Sequence, residues 1–581
     1  MQFSSFLHIL SNTSTRFQPY ALLTRHRRFQ MRTAQCTRIY NSVQEACWYF
    51  VRDLPWEIVK CYIVPRIFGE GRPIVYLQQP CSYLDMYSTW SKRIISADDR
   101  FHFIGVGQSL SDHHRMRLMT IAPLIKSLAL SISGVQHIPQ LLKCGKLLSL
   151  TKLKIHVNGT QEALLQLLEI TPNLTHLDIK YDDNEHTPLS LFDVLDRCPR
   201  LIRLDFVCYP GSIIDTTYNS ERDRIYGNIT HLRTRYENLD NRDIFVPLIQ
   251  RLPNLRLLAL IYPSSTGMTT IDQRCPKLQQ LLLSYPYVPI AIVDDIKEEE
   301  YETPGLRFLS LAGGTYEEDY VTDIMIRHKA TLESLELKGG QIPIKDFIDL
   351  QNVELKQLKS LSFGDESRHG LLEFIEWVVQ HAPNLESVET VDPKAWPRML
   401  NGILRYRPLK RIGLYCASYH QPEEYAFIQH HIQLGAESHL QSLQCTFRHI
   451  RKHDSWIFLI PKLTQLKTLE LSSRSGFYMS TLDTFIKAVS EGCIGLERLI
   501  VKSRVCFSSS EWIHDLSKHR NLQEIIVDTA HIPDHFLTAL EAFPHLKLIH
   551  LKYDVKNWDS LAKLKDKMPN VVYTEKYYPT F

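Results

Sequence analysis

Histidine and cysteine are the side chains of this sequence best able to bind a metal ion or to act as nucleophiles. His430 and His431 are adjacent, with His420 earlier in the same segment. Adjacent histidines on a helix point in different directions, and no Cys or carboxylate completes a ligand set at zinc spacing. The 12 cysteines are scattered without a C-x-x-C pair. The sequence therefore predicts no metal site, no cofactor and a reducing compartment.

Catalytic signatures are missing from the chain. It contains no G-x-x-x-x-G-K-[ST], G-x-G-x-x-G, H-E-x-x-H or G-x-S-x-G. The net charge of +3 is too small for a nucleic-acid footprint along the whole chain. No apolar run approaches the roughly 18–20 residues that span a bilayer. We therefore expect a protein that is not an enzyme and whose partners are proteins, not membranes or nucleic acids.

A short phrase, apolar-x-x-apolar-x-apolar, recurs through most of the sequence. It occurs at Leu174–Ile179, Leu255–Leu260, Leu332–Leu337 and Leu466–Leu471, often after Pro-Asn or Cys-Pro. A stretch with helical periodicity precedes many copies, and proline then ends the helix. Strands and helices alternating at a period in the mid-twenties predict a solenoid of parallel strands, in which only neighbouring repeats can bury each apolar face.

These repeats resemble leucine-rich repeats of the ribonuclease-inhibitor-like kind, over about three quarters of the chain. The resemblance implies an α/β fold, a horseshoe of parallel strands and helices. The family's Asn or Cys after the strand is mostly missing; Asp178–Asp182, for example, has no Asn at the expected place. We therefore expect the coil to be irregular in curvature.

The inner face of this solenoid is the predicted binding surface. The residue between the last two apolar positions of each strand should point away from the core. Acidic residues are prevalent among them in the middle repeats, which suits a protein ligand of basic or mixed charge; the alternative is that they are only solvated strand positions. The candidates are Asp178, Asp205, Arg233, Glu336, Glu389 and Glu470.

The segment before the repeats carries a second pattern. Leu54-Pro55-Trp-Glu57-Ile58 suits the start of a helix, because Pro is favoured at the first position and Glu in the first turn. Farther on, Leu84, Tyr87, Trp90 and Ile94 recur at three-to-four spacing and form one apolar helix face.

This segment resembles an F-box, with Met86 and Tyr87 replacing the family's usual Val-Cys and a longer gap at 69–75. The resemblance implies a small all-α domain that binds a Skp-type adaptor and, through it, a cullin scaffold. The alternative is a helical cap that only shields the first repeat. The residues that the resemblance assigns to adaptor binding are Leu54, Pro55, Glu57, Ile58, Ile63, Trp90 and Ile94.

The chain is thus expected to comprise a basic, disordered tail (1–44), an F-box-like domain (45–100), a linker (101–120) and a leucine-rich-repeat solenoid with a C-terminal cap (121–581). Residues 1–44 lack Asp and Glu and carry scattered Arg, a composition that also fits a mitochondrial transit peptide or a start at Met31. Cytoplasmic or nuclear localisation is the leading expectation.

Together these features predict the substrate-recognition subunit of an SCF-type cullin-RING ubiquitin ligase. Such a subunit breaks no covalent bond; it raises the local concentration of a target protein near the ubiquitin-charged enzyme. The alternative is a leucine-rich-repeat interaction scaffold with no role in ubiquitin transfer.

Overall fold

The computed structural model describes most of the chain from residue 125 onward and two short strands before it. The described residues are 74–76, 102–105, 125–130, 138–143, 145–158, 161–182, 188–208, 214–215, 224–236, 243–261, 263–284, 305–312, 318–338, 353–364, 371–390, 400, 404, 408–416, 422–447, 456–473, 479–503, 511–529, 532–543, 545–553 and 558–575. The chain divides into two compact units, Met1–Asp215 and Thr216–Phe581.

The first unit is built on a ladder of parallel strands. Its strands are β1 (Ile74–Tyr76), β2 (His102–Gly105), β3 (Ser127–Leu130), β4 (Lys152–Asn158), β5 (His176–Asp182), β6 (Leu189–Ser190), β7 (Arg203–Cys208) and β8 (Ile214–Asp215). The ladder runs β1–β2–β3–β4–β5–β7, and β6 pairs separately with β8. Its described helices are α1 (Ile138–Leu142), α2 (Gln161–Glu169) and α3 (Leu191–Arg197).

The second unit continues the same construction, and each of its strands pairs in parallel with the next in the chain. Its strands are β9 (His231–Tyr236), β10 (Leu257–Ile261), β11 (Gln280–Ser284), β12 (Phe308–Ala312), β13 (Ser334–Lys338), β14 (Ser360–Phe363), β15 (Ser387–Thr390), β16 (Arg411–Cys416), β17 (Ser442–Phe447), β18 (Thr468–Ser473), β19 (Arg498–Ser503), β20 (Glu524–Asp528), β21 (Leu548–Tyr553) and β22 (Val571–Glu575).

Helices or short 3-10 turns connect many of these strands, because parallel neighbours need a connection that crosses back. The α-helices are α4 (Val246–Ile249), α5 (Ser265–Arg274), α6 (Glu318–His328), α7 (Leu371–His381), α8 (Pro422–Leu434), α9 (Met479–Gly492), α10 (Glu511–Leu516), α11 (Asp534–Leu540) and α12 (Trp558–Lys567). Gly435–Glu437 and Ile457–Lys462 are 3-10 turns.

Alternating burial along strands such as β5, β7 and β17 shows which side meets the core. In β5, Leu177, Ile179 and Tyr181 are at most 1% exposed, while the residues between them are partly exposed. Helix α2 adds Leu164 and Leu168 to the buried leucines. Parallel strands, connecting helices and this leucine core confirm the predicted leucine-rich-repeat solenoid of the α/β class.

The parallel ladder begins earlier in the chain than the sequence indicates. β1 lies inside the segment predicted to be all-helical, and β2 lies inside the predicted linker. Ile74-Val75-Tyr76 is a run of β-branched and aromatic residues, which favours a strand. Both strands continue the ladder through β3, so the all-α description does not hold at Ile74–Tyr76. The other boundaries predicted before residue 121 lie outside the described residues.

Asparagine side chains tie consecutive repeats together, but from a position before the strand instead of after it. In four repeats an asparagine three residues before the strand donates from Nδ2 to a main-chain oxygen of the preceding repeat. The pairs are Asn173 with Leu148 (2.7 Å), Asn254 with Gly227 (2.7 Å), Asn384 with Lys356 (2.8 Å) and Asn521 with Ile494 (2.6 Å). The Pro-Asn or Arg-Asn that introduces these strands therefore serves as a structural tie.

A line of charged residues immediately before the strands adds weaker ties. Glu333 pairs with Arg307 of the preceding repeat and lies 4.0 Å from Lys359 of the next. Glu386 and Lys410 continue this alternation of acidic and basic residues from repeat to repeat, with Lys410 Nζ 2.7 Å from Glu386 Oε1. The more exposed of these pairs, such as Lys410 with Glu386, contribute roughly 0–1 kcal/mol each.

Candidate functional site: the open face of the strands

The candidate site is the face of the strands that points away from the buried leucines, here called the open face. In the first unit, Lys154, Asp178 and Asp205 are successive Cα partners across β4, β5 and β7. In the second unit a corresponding row runs across the ladder from β9 to β22. Its members are Arg233, Ala259, Leu282, Ser310, Glu336, Ser362, Glu389, Gly413, Gln444, Glu470, Ile500, Ile526, His550 and Val572.

Every residue predicted for the inner face lies in one of these two rows. Asp178 and Asp205 are adjacent in the first unit, whereas Glu336 and Glu389 are separated by the single strand that carries Ser362. Side chains in one register row stand about 4.8 Å apart from strand to strand. The rows therefore place these residues on one continuous surface within each unit.

Both aspartates of the first unit are neutralised by cations on the same face. Lys154 Nζ lies 2.9 Å from Asp178 Oδ2 on the neighbouring strand. Arg203 donates from Nε and Nη2 to Asp205 Oδ2, at 2.9 and 2.7 Å, from two positions earlier on β7. The two aspartates thus contribute shape and hydrogen-bond acceptors but little net negative charge.

The glutamates of the second unit are also held by neighbours. Ser310 Oγ donates to Glu336 Oε2 at 2.7 Å. Arg411 Nη2 lies 3.8 Å from Glu389 Oε2 and donates to Gln444 Oε1 at 3.1 Å, so it bridges two neighbouring strands. These repeats look acidic in the sequence, but the surface that they form has mixed charge, because cationic side chains from adjacent rows lie beside the glutamates.

Parts of the open face are not accessible. Glu470 is only 7% exposed, and its Oε1 receives Lys502 Nζ at 2.7 Å from the neighbouring strand. Ser310 is 5% exposed and Ile500 8%. Glu470 is therefore placed on the predicted face but is engaged by the protein itself, because a carboxylate this buried needs a paired cation.

Three serines occupy a further row of this face. Ser334, Ser360 and Ser387 are successive Cα partners, one row from Glu336 and Glu389, and are half-buried. They were not predicted from the sequence, where the position between the last two apolar residues of each strand defines the candidate face. The position two residues earlier has the same orientation and could have revealed them.

An apolar cluster lies on the same face at β10 and β11. Leu257, Ala259 and Leu282 are 2%, 0% and 3% exposed, and Phe308 packs against them. Most open-face positions are polar, so this cluster divides the polar surface of the second unit. Leu257-Leu-Ala-Leu-Ile261 reads as a continuous apolar run, which is the signal that distinguishes a strand buried on both faces.

Several of the described cysteines are core residues. Cys198, Cys275 and Cys493 are buried free thiols, and burial raises the pKa of each to about 12. Thiolates are the nucleophilic and metal-binding form of cysteine. Because these thiols stay protonated, they act as packing groups in the core.

Metal ligation finds no support in the part of the chain that the structure describes. No group of three His, Cys, Asp or Glu residues there could hold a metal ion. The rings of His430 and His431 meet edge to face, with centroids 5.6 Å apart. His431 is buried in helix α8 and bonds Ser438 through Nδ1, so it does not lie on the open face. Within the same residues, no helix is long and apolar enough to cross a bilayer.

The predicted adaptor-binding residues of the N-terminal segment lie outside the described residues. They are Leu54, Pro55, Glu57, Ile58, Ile63, Trp90 and Ile94. Their assignment stays a prediction from the sequence.

Comparison with known protein families and with curated proteins finds no match to this chain. Solved structures match at low identity. A Bacteroides fragilis protein is 15% identical over 50% of this chain and 74% of its own, with a TM-score of 0.27. A chain of the Toll–Spätzle complex from Drosophila is 10% identical over 78% and 56%, with a TM-score of 0.29. The Rad7–Elc1 complex of yeast gives 12% identity over 97% and 98%, with a TM-score of 0.26. The assignment to a solenoid rests on strand pairing and burial, not on these matches.

Proposed function

We propose that this chain is a non-enzymatic protein-recognition subunit, the substrate receptor of an SCF-type cullin-RING ubiquitin ligase. The observation that carries the recognition role is the open face itself. It presents half-exposed serines and ion-paired carboxylates in register across neighbouring repeats. Such a surface suits a folded or extended protein ligand of mixed charge, and no catalytic constellation accompanies it in the described residues.

The ligase role is supported by the sequence ahead of the repeats. Leu54-Pro55 with Glu57 and Ile58 matches the F-box opening, and the Trp90 helix matches its close. In this proposal the segment binds a Skp-type adaptor, which joins the chain to a cullin. The target protein binds the open face, so its lysines are brought near the charged enzyme.

Adaptor binding is tested by co-purification of the full chain with a Skp-type adaptor and cullin. Leu54→Ala combined with Ile58→Ala should abolish recovery of the adaptor. The matched control is Leu148→Ala, which removes an exposed leucine (56%) from the solenoid surface and should leave recovery unchanged. An adaptor that is absent, or that is retained by the double variant, would favour the second candidate function, a repeat scaffold whose N-terminal segment is only a cap.

Target recognition is tested separately. The double variant Glu336→Lys with Glu389→Lys reverses the charge beside Ser334, Ser360 and Ser387. It should recover smaller amounts of the proteins that co-purify with the wild-type chain when the proteasome is blocked. Glu354→Lys is the control, because Glu354 is exposed and pairs with Lys356 at 3.3 Å, away from the serines of the open face. Equal capture by all three proteins would place recognition elsewhere on the chain.

A further inference from the structure

A polar groove lies at the edge of the second unit where four strands begin. It is about 520 Å³ in volume and is lined by the turns that precede β17, β18, β19 and β20. These four turns are separated by three strand spacings of about 4.8 Å, so the groove spans about 14 Å along the ladder. An extended chain advances about 3.3 Å per residue and would place roughly four residues in it.

The groove coincides with a gap in the asparagine ties. Gln465 and Gly495 occupy the position three residues before β18 and β19, where Asn173, Asn254 and Asn521 donate to the preceding repeat in other turns. The carbonyl oxygens at the equivalent acceptor positions belong to Ser438 and Thr464, and both residues line the groove. Among the described residues neither oxygen receives a side-chain hydrogen bond.

The side-chain amide of Gln465 lacks hydrogen bonds to the described residues. Its Nε2 and Oε1 are both buried from solvent and have no hydrogen-bond partner among the described residues. Buried amides are nearly always bonded, so an amide with two open positions beside a cavity points to a missing partner. Gln465 lines the groove, so a molecule bound there is well placed to supply the missing partner.

The lining also restricts the chemistry of that partner. Gln441, Asn521 and Gln523 add neutral amides, and the charges of Lys467 and Glu497 cancel across a loose 3.6 Å contact. A neutral lining does not favour phosphate or a highly charged ligand. No aromatic side chain lines the groove for stacking against a base or sugar. A lining of neutral amides and main-chain oxygens instead suits the N–H and C=O groups of an extended peptide.

We propose that this groove binds about four residues of an extended, uncharged peptide segment of a partner protein, through hydrogen bonds to its main chain. Gln465 supplies one donor and one acceptor, and the carbonyl oxygens of Ser438 and Thr464 accept from the peptide N–H groups. This site is independent of the adaptor and the open face, so it stands whether or not the ligase proposal holds.

The test uses a phage-displayed heptapeptide library selected on the full chain, followed by fluorescence polarisation with the recovered synthetic peptides. Gln465→Asn shortens the side chain and restores the tie to Ser438. It should weaken peptide binding at least roughly tenfold, the loss expected for one or two hydrogen bonds. Its thermal midpoint should equal or exceed that of the wild type, which excludes unfolding as the cause.

Gln357→Asn is the matched control, since Gln357 has the equivalent position before β14, is exposed and does not line the groove. Peptide affinity should be unchanged in this variant. The proposal is overturned if the selection yields no peptide that binds the wild type more tightly than Gln465→Asn, or if the two proteins bind the recovered peptides with equal affinity.

Discussion

Asn254 donates a hydrogen bond from Nδ2 to the main-chain oxygen of Gly227, 2.7 Å away, and so joins two consecutive repeats. Its Oδ1 accepts from Lys277 Nζ of the following repeat at 2.8 Å. One side chain therefore links three repeats of the second unit. This arrangement explains how the solenoid holds its register although the asparagine that usually follows the strand is mostly missing.

Replacing Asn254 with alanine should lower stability by about 1 kcal/mol, the typical net value of one hydrogen bond. The effect should be local, because repeat proteins are stabilised by interactions between neighbours. Hydrogen exchange at the amides of Arg256 and Leu257 should therefore accelerate more than exchange in β19. Gln357→Ala, which removes an exposed amide, should leave exchange unchanged both at Arg256 and Leu257 and in β19. If exchange at Arg256 and Leu257 is the same in Asn254→Ala as in Gln357→Ala, the Asn254 hydrogen bond contributes nothing.

The leucine positions of the repeat carry most of the stability. Leu335 is 0% exposed in β13. Leu335→Ala removes several buried methyl and methylene groups and should cost about 2–5 kcal/mol, lowering the thermal midpoint clearly. The same substitution at Leu148, which is 56% exposed, should cost less than about 0.5 kcal/mol. Similar losses at the two positions would contradict the assignment of Leu335 to the core.

Local periodicity accounts for what was predictable from the sequence. Leu335 and Leu337 alternate with Glu336, and an alternation of two fixes which side chain meets the core. The same alternation placed Glu336 and Glu389 in one row of the open face, because each repeat has the same phase. Fold class and candidate face could therefore be predicted without knowing any contact between repeats.

Contacts between repeats account for what could not be predicted. The partner of Asn254 lies 27 residues earlier in the chain, and the groove beside Gln465 is assembled from four separate turns. The burial of Glu470 depends on its neighbours across the ladder. β1 was missed for a different reason: it is three residues long and lacks the repeat phrase.

The pair formed by Glu470 and Lys502 should contribute measurable coupling. Glu470 is largely buried, so its carboxylate is less screened than a surface group. A double-mutant cycle with Glu470→Gln and Lys502→Met should give a coupling energy of about 1 kcal/mol in unfolding measurements. The control cycle, Glu354→Gln with Lys356→Met, concerns a pair in which both side chains are more than half exposed, and should give coupling near zero. Equal coupling in the two cycles would contradict this account.

His431 should make stability sensitive to acid. It is 2% exposed, and burial, aided by His430, lowers its pKa to about 4 from the ordinary 6.5. The folded state therefore binds this proton less readily than the unfolded state. The stability contribution is complete above about pH 6.5 and is lost as the pH falls towards 4. His431→Asn keeps a group able to bond Ser438 and should flatten the decline in thermal midpoint over this range, whereas His439→Asn, at an exposed position, should reproduce the wild-type profile.

Glu424 should have the opposite dependence. It is 1% exposed with Oε2 unpaired, and burial raises its pKa to about 7 from 4.5. Because the folded state holds this proton more tightly, its stabilising effect is complete below about pH 4.5 and is lost as the pH rises through 7, at a cost of about 2–4 kcal/mol. Glu424→Gln stays neutral, so its thermal midpoint should exceed that of the wild type above pH 7 and converge with it near pH 5. Glu437→Gln, an exposed control, should follow the wild type throughout; a Glu424→Gln profile parallel to the wild type at every pH would show that Glu424 does not titrate in this range.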